Sequence, residues 1–259
     1  MTVKPENCLN IGVLGCGAIA QAGHFESVTK GKNTNLYAIC DVARDLVEQS
    51  AITHGAENCF ESYEQMLADP NLDAVIIATA DAFHVQATLQ ALTAGKHVLC
   101  EKPLGVTLEE VEALGKAVAE SGLKLQVGHM KRFDPGLQSA REFIDSEMGE
   151  MLAFKAWYCD STHRYAMTDA VQPLIVRSTA SRRPDYDPKS DLQQYYMLAH
   201  GCHLVDTARY LCGEIITVQA RHRQRFGAYS WFVDVEFANG ALGHLDLTVA
   251  VRMDWHEGF

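Results

Sequence analysis

Apolar positions along this chain come in two textures. Up to about residue 148, short continuous apolar runs at 9–15, 34–40, 74–79, 97–100 and 123–128 alternate with stretches of helical apolar spacing at 18–30, 42–54, 62–69, 83–94 and 107–121. Continuous runs suit strands buried on both faces, and helical spacing suits the helices that cover them. The last helix carries its own start and stop signals, with Thr107 as cap, Glu110 three residues on and Gly122 at the end. Such alternation with short connections predicts an α/β unit, a doubly wound parallel sheet, over residues 1–133.

Beyond about residue 149 the texture changes. The pattern predicts a strand at 150–159, an irregular charged stretch at 160–190 and a helix at 191–212 ended by Gly213. Strands at 215–225 and 229–237, a hairpin turn at Asn239-Gly240 and a return strand at 241–251 follow. Residues 134–259 are thus expected to form a second domain of α+β type with a mainly antiparallel open sheet. About four predicted strands and one helix leave that sheet with an uncovered edge, an aggregation liability. Either a partner or a missing C-terminal portion of chain is expected to cover it.

Composition narrows the partners. With 259 residues, 47% apolar and 21% charged, the chain is globular, and a net charge of −11 argues against nucleic acid or an anionic membrane. Eight cysteines lie scattered without a CxxC pair, several inside apolar runs (Cys40, Cys100), as in a reducing cytoplasm. Val13-Leu-Gly-Cys16 loosely imitates a lipoprotein cleavage site, but Lys4 and Glu6 cancel and Asn10 breaks the short apolar core ahead of it. No stretch approaches the ~20 apolar residues of a membrane span. The reading is a soluble, unexported, cytoplasmic chain.

The candidate chemistry lies where strands end, because ligands of open parallel sheets gather outside the carboxyl ends of their strands. The first run enters Gly15-Cys16-Gly17-Ala18-Ile19-Ala20, and the second ends on Asp41. Gly15 permits a tight turn, Gly17 lets backbone approach a pyrophosphate at the helix start, Ala20 allows close packing and Asp41 can bond a ribose hydroxyl. An ordinary strand–turn–helix would leave the placement of Asp41 to chance. The other strand ends deliver Arg44 a turn beyond Asp41, then Thr79-Ala80-Asp81 with His84, then Glu101-Lys102-Pro103. Pro103 biases Lys102 toward extended backbone, and Glu101 helps keep its ammonium charged. A solvated loop lysine is the plainer alternative. On helix 191–212, His200, His203 and Asp206 form a stripe at three-residue spacing. A packed structural histidine, a metal ligand and a general base compete there; beside a nicotinamide, acid–base chemistry is the best reading for His203. No metal is called for.

Taken together, Gly15-x-Gly17-x-x-Ala20 with Asp41, Glu101-Lys102-Pro103, Gly128-His129-x-x-Arg132-Phe133-x-Pro135, and Gly201-Cys-His203-Leu-Val-Asp206 with Leu211-Cys-Gly213 resemble the Gfo/Idh/MocA oxidoreductase family over nearly the whole chain. The resemblance implies an N-terminal Rossmann domain and a C-terminal domain whose open sheet often joins copies into a homo-oligomer. It further implies hydride transfer between a nicotinamide cofactor and a secondary alcohol of a sugar, sugar derivative or inositol. Lys102 then bonds the reacting hydroxyl, His203 is the general base, and the two are expected to converge on one carbinol. Many members carry aspartate four residues before that histidine, where this chain has Ala199; His200 beside it can orient substrate or relay a proton, or the proton path differs or activity is weak, and Asp206 can orient His203 or cap packing. Cofactor contacts fall on Gly15, Gly17, Ala18, Ile19, Asp41, Arg44, Thr79, Ala80, Asp81, His84, Glu101 and Lys102. Asp41 favours NAD, and Arg44 keeps NADP open. Substrate contacts fall on Arg132, Tyr158, Arg164 and His200. Two other functions fit the same motifs: a glycosidase that uses NAD for transient oxidation, and a non-catalytic NAD-binding regulator.

Overall fold

The computed structural model describes residues 8–161, 176–180, 189–251 and 257–258. They fall into two compact units, one of residues 8–128 with 176–180, the other of 129–161 with 189–251 and 257–258. In the first unit, β1 (Leu9–Leu14), β2 (Thr34–Cys40), β3 (Asn58–Phe60), β4 (Ala74–Ile77), β5 (His97–Cys100) and β6 (Leu125–Val127) form one sheet in the order β3-β2-β1-β4-β5-β6. Every pairing is parallel. Five of these strands fall on the continuous apolar runs; β3, a bare Asn-Cys-Phe, is too short to give that signal.

The helices follow at the expected places. A π-turn at Ala20–His24 runs into α1 (Phe25–Lys30), followed by α2 (Arg44–His54), α3 (Tyr63–Leu67), α4 (His84–Thr93) and α5 (Leu108–Ser121). The Thr107–Glu110 capping box is present at the start of α5. One face of the sheet buries Ile11, Val13 and Ile39 against Phe25, Leu46 and Val47; the other buries Val75, Ile77 and Cys100 against Met66, Ala91 and Leu92. The order reverses between β1 and β4, which opens a crevice at their carboxyl ends. Residues 176–180, distant in sequence, pack with this unit. Val176 is buried beside Cys16 and Ala20, and its backbone exchanges two hydrogen bonds of 3.0 Å with the Gln21 side-chain amide.

In the second unit, α6 (Pro135–Phe143) starts on Asp134, whose carboxylate accepts from Gly136 N at 2.8 Å, and continues through a π-turn at Ile144–Met148. The apolar pattern gave no helix there, and none of the residues of α6 is fully buried. β7 (Ala153–Ser161) leads on to α7 (Leu192–Tyr196), a π-turn at Met197–Gly201 and α8 (Cys202–Cys212), so the expected helix 191–212 is interrupted by a wider turn. β8 (Ile215–Arg225), β9 (Ala228–Phe237), β10 (Leu242–Val251) and β11 (Glu257–Gly258) complete a sheet ordered β11-β7-β10-β9-β8. It is mainly antiparallel, with β7 and β10 parallel, and β11 is a strand beyond the four expected. Its inner face buries Trp231, Phe237, Leu245 and Leu247 against Leu204, Ala208 and Leu211 of α8. Trp157, Phe232 and Leu242 are exposed.

Candidate functional site

The turn after β1 is held open by backbone geometry. Gly15 has φ +95°, and a Cβ there would sit 2.8 Å from the Ala78 carbonyl oxygen, so the β1 and β4 loops can approach this closely only at glycine. Cys16 N donates to Asp41 Oδ2 at 2.9 Å and Ala43 N to Asp41 Oδ1 at 3.0 Å. The carboxylate thereby ties the glycine turn to the end of β2, and its remaining lone pairs still accept. A cavity of about 380 Å³ opens here, lined among others by Gly15, Gly17, Asp41, Thr79 and Ala80. That volume suits a small-molecule or cofactor site. The residues present fit a dinucleotide: a side-chain-free turn, a following helix start, and a carboxylate at the end of β2.

Not every residue expected at the cofactor lines this cavity. Ala18 and Ile19 follow Gly17 at the exposed start of the helix, outside the residues that line the cavity. Arg44 turns toward Glu48 at 2.8 Å and Glu61 at 3.8 Å. Asp81 accepts from the neighbouring Ala82 N at 3.2 Å. His84 is a correction. It is 2% exposed, and its ring nitrogens face Pro103 O at 2.7 Å and Thr79 O at 3.1 Å. The position after β4 is at the crevice, but the phase of α4 turns the imidazole inward, where it props two loops together. Burial pushes the Cys40 and Cys100 thiols up to about 12, so neither is a thiolate nucleophile near neutral pH.

At the end of β5, Lys102 N donates to Glu101 Oε2 at 3.2 Å, while Glu101 Oε1 lies 2.9 Å from His24 Nε2. Burial raises the Glu101 carboxyl, but the hydrogen bond and charge of His24, then those of Lys102, outweigh it and hold the carboxyl below its ordinary value. Its oxygens are engaged by His24 and a backbone N–H, and the Lys102 charge adds to both. His24, which no local sequence signal marks, stands one helical turn beyond Ala20, and only the fold brings it to Glu101.

The second unit gathers the other polar residues. Arg132 grips Asp206 with Nε at 2.8 Å and Nη2 at 2.7 Å, and His129 Nε2 lies 3.8 Å from the same carboxylate. Asp206 was expected to orient His203 or cap packing, and Arg132 to meet substrate; the structure pairs the two through a bidentate contact. The Arg132 side chain is 41% exposed and that of Asp206 8%. Removing arginine therefore strands a buried carboxylate, while removing aspartate leaves a cation that water can reach. Arg132→Ala should cost roughly 3 kcal/mol in urea unfolding and Asp206→Ala about half that. Equal costs would contradict this asymmetry.

His203 is buried on α8. Tyr158 and His200 do not present themselves at a surface: both are buried, with Tyr158 Oη 3.2 Å from His200 Nδ1, which also stands 3.2 Å from Asp160 Oδ2. Asp160 at the end of β7 gave no sequence signal, because its partner lies forty residues on in a different element. Arg164 lies outside the described residues.

Comparison with known proteins places this geometry. Two family models match in succession: "Oxidoreductase family, NAD-binding Rossmann fold" over residues 9–129 and "GFO/IDH/MocA C-terminal domain" over residues 137–258. The scyllo-inositol 2-dehydrogenase (NAD(+)) of Bacillus subtilis is 35% identical over 156 residues, covering 60% of this chain and 46% of its own. The myo-inositol 2-dehydrogenase of Thermotoga maritima is 26% identical over 250 residues, covering 94% of this chain and 64% of its own. This chain therefore spans less than two thirds of either relative. In fold, it is similar to a solved scyllo-inositol dehydrogenase from Lactobacillus casei with bound NAD(H) and scyllo-inositol, at TM-score 0.75 and 23% identity over 96% of this chain and 72% of that one.

Proposed function

We infer, from the Gfo/Idh/MocA oxidoreductase family to which this chain belongs, that it is an NAD-dependent dehydrogenase acting on a secondary alcohol of a sugar, sugar derivative or inositol. The observation that carries this reading is the Gly15 turn, closed against Ala78 and tied to Asp41 at the rim of one cavity. The first unit is the dinucleotide-binding part, with Gly15, Gly17, Asp41, Thr79 and Ala80 as the residues that hold it. NAD is preferred because the Asp41 carboxylate accepts from a free 2′-hydroxyl and repels a 2′-phosphate. Bound NAD supplies the hydride acceptor.

The protein's own groups do the rest. The Lys102 ammonium donates to the reacting hydroxyl and offsets negative charge as it develops on oxygen. The His203 imidazole takes the hydroxyl proton as the carbinol becomes a carbonyl. Arg132, committed to Asp206, and the buried Tyr158–His200 pair shape the substrate part of the second unit without direct contact. Scattered cysteines without a CxxC pair accord with a reducing cytoplasm, and no helix of the described residues is long and apolar enough to cross a membrane. The exposed Trp157, Phe232 and Leu242 are the contact for a second copy of the chain; a monomer in sedimentation would overturn that assignment.

The test is NADH absorbance over a panel of inositols, aldoses and sugar acids, with dinucleotide affinity measured in parallel. Turnover with at least one polyol, and NADP bound at least about tenfold more weakly than NAD, is the expected result. Dinucleotide binding without turnover on any member would point to a regulator. Glycoside cleavage with no net NADH release would point to the redox-assisted glycosidase.

A further inference from the structure

The roles assigned so far leave His24 without a task, yet it occupies a built position. It closes the π-turn Ala20–His24 directly behind the glycine loop. Such turns insert one extra residue into a helix, reset its phase and recur at functional sites. Here the turn brings His24 Nε2 within 2.9 Å of Glu101 Oε1, with both side chains only 16% exposed. The second carboxylate oxygen receives the Lys102 backbone N–H at 3.2 Å. The slot beneath is cut to fit, since a Cβ at Gly128 would lie 3.1 Å from Oε2 and 3.2 Å from the carboxyl carbon. A carboxylate is thus gripped from three elements: the π-turn, its own strand end and the loop after β6.

We propose that His24 and Glu101 form a positioning pair that ties the Lys102 turn to the helix carrying the glycine loop. Neither touches the reacting atoms. Their hydrogen bond fixes where the chain leaves β5, and so the point from which the Lys102 side chain starts. Because the same helix begins at the dinucleotide turn, the pair sets the lysine in register with the cofactor site. The inference rests on the role proposed for Lys102, but the geometry can be tested without turnover.

The full chain is reductively methylated with isotope-labelled formaldehyde, and the Lys102 resonance is identified by its loss in Lys102→Arg. His24→Leu and Glu101→Gln should move that resonance. His24→Gln, whose amide can donate to the same oxygen, should leave it near wild type. Cooperative thermal unfolding of each variant confirms that the fold persists, and Glu101→Gln or His24→Leu suffices alone if the other does not fold. In turnover, His24→Leu should lose about tenfold or more in kcat with dinucleotide Kd unchanged within about twofold. Among the described residues, the groups facing Glu101 are His24, Lys102 and Cys100. With the imidazole gone, burial of the carboxyl is less opposed, so the acid limb of the kcat profile should move to higher pH. A Lys102 resonance unaltered in the folded His24→Leu variant overturns the pair, and so does His24→Gln behaving like His24→Leu. Absence of turnover in wild type would instead sink the dehydrogenase reading, while the resonance still decides the pair.

Discussion

Lys102→Ala should lower kcat/KM toward a polyol about a thousandfold, roughly 4 kcal/mol of transition-state stabilisation, with dinucleotide Kd unchanged within about twofold. The ammonium is proposed to act on charge that exists only as the hydroxyl ionises, so its loss falls on the chemical step and spares cofactor binding. Its backbone is fixed by the N–H bond to Glu101, so alanine removes the charge without releasing the turn. His203→Ala should cost about 10²–10⁴ in kcat, the range for a positioned general base. The two losses should not add, because a proton cannot leave efficiently unless the oxygen is also stabilised. Steady-state and single-turnover NADH formation measure both. A variant keeping more than about a tenth of wild-type kcat/KM would remove that residue from the mechanism.

Dinucleotide binding should respond most to the glycine turn, and the two glycines should fail differently. Gly15→Ala places a Cβ at φ +95° and 2.8 Å from the Ala78 carbonyl, so the β1 and β4 loops must separate. Backbone strain of about 1–2 kcal/mol adds to that displacement, and both Tm and dinucleotide affinity should fall. At Gly17 a Cβ would meet no protein atom within 4 Å, although the residue lines the cavity. Gly17→Ala should therefore keep wild-type Tm while affinity drops about tenfold or more. Calorimetric melting beside a fluorescence titration separates the two cases. Unchanged affinity in both variants would mean that the dinucleotide does not use this turn.

How much of this was legible in the sequence follows from how local each signal is. β1, β2 and β4 read clearly because strands buried on both faces are continuous apolar runs, and the Thr107–Glu110 cap read clearly because its partners stand three residues apart. β3 and β11 were invisible, being too short for any periodicity, and the parallel pairing of β7 with β10 is set by topology across most of the second unit. The Gly15–Asp41 constellation was legible because fixed connections place it. Its inner hydrogen bonds were not, since the rule that strand ends face the crevice says nothing of where a side chain turns. That is why His84 was expected at the cofactor and instead packs between Thr79 and Pro103. His24 with Glu101, and Asp160 with His200, pair across 77 and 40 residues respectively, distances that no local pattern spans.

The seat of Val176 bears on how the chain is made. Its neighbours Cys16 and Ala20 are synthesised early, yet the residue that fills the gap between them and satisfies the Gln21 amide comes well after Gly128. At ribosomal speeds of about 5–20 residues per second, that delay amounts to roughly 2–10 s. During this interval all six strands of the dinucleotide-binding unit have been made, but not the residue that completes the contacts of Gln21.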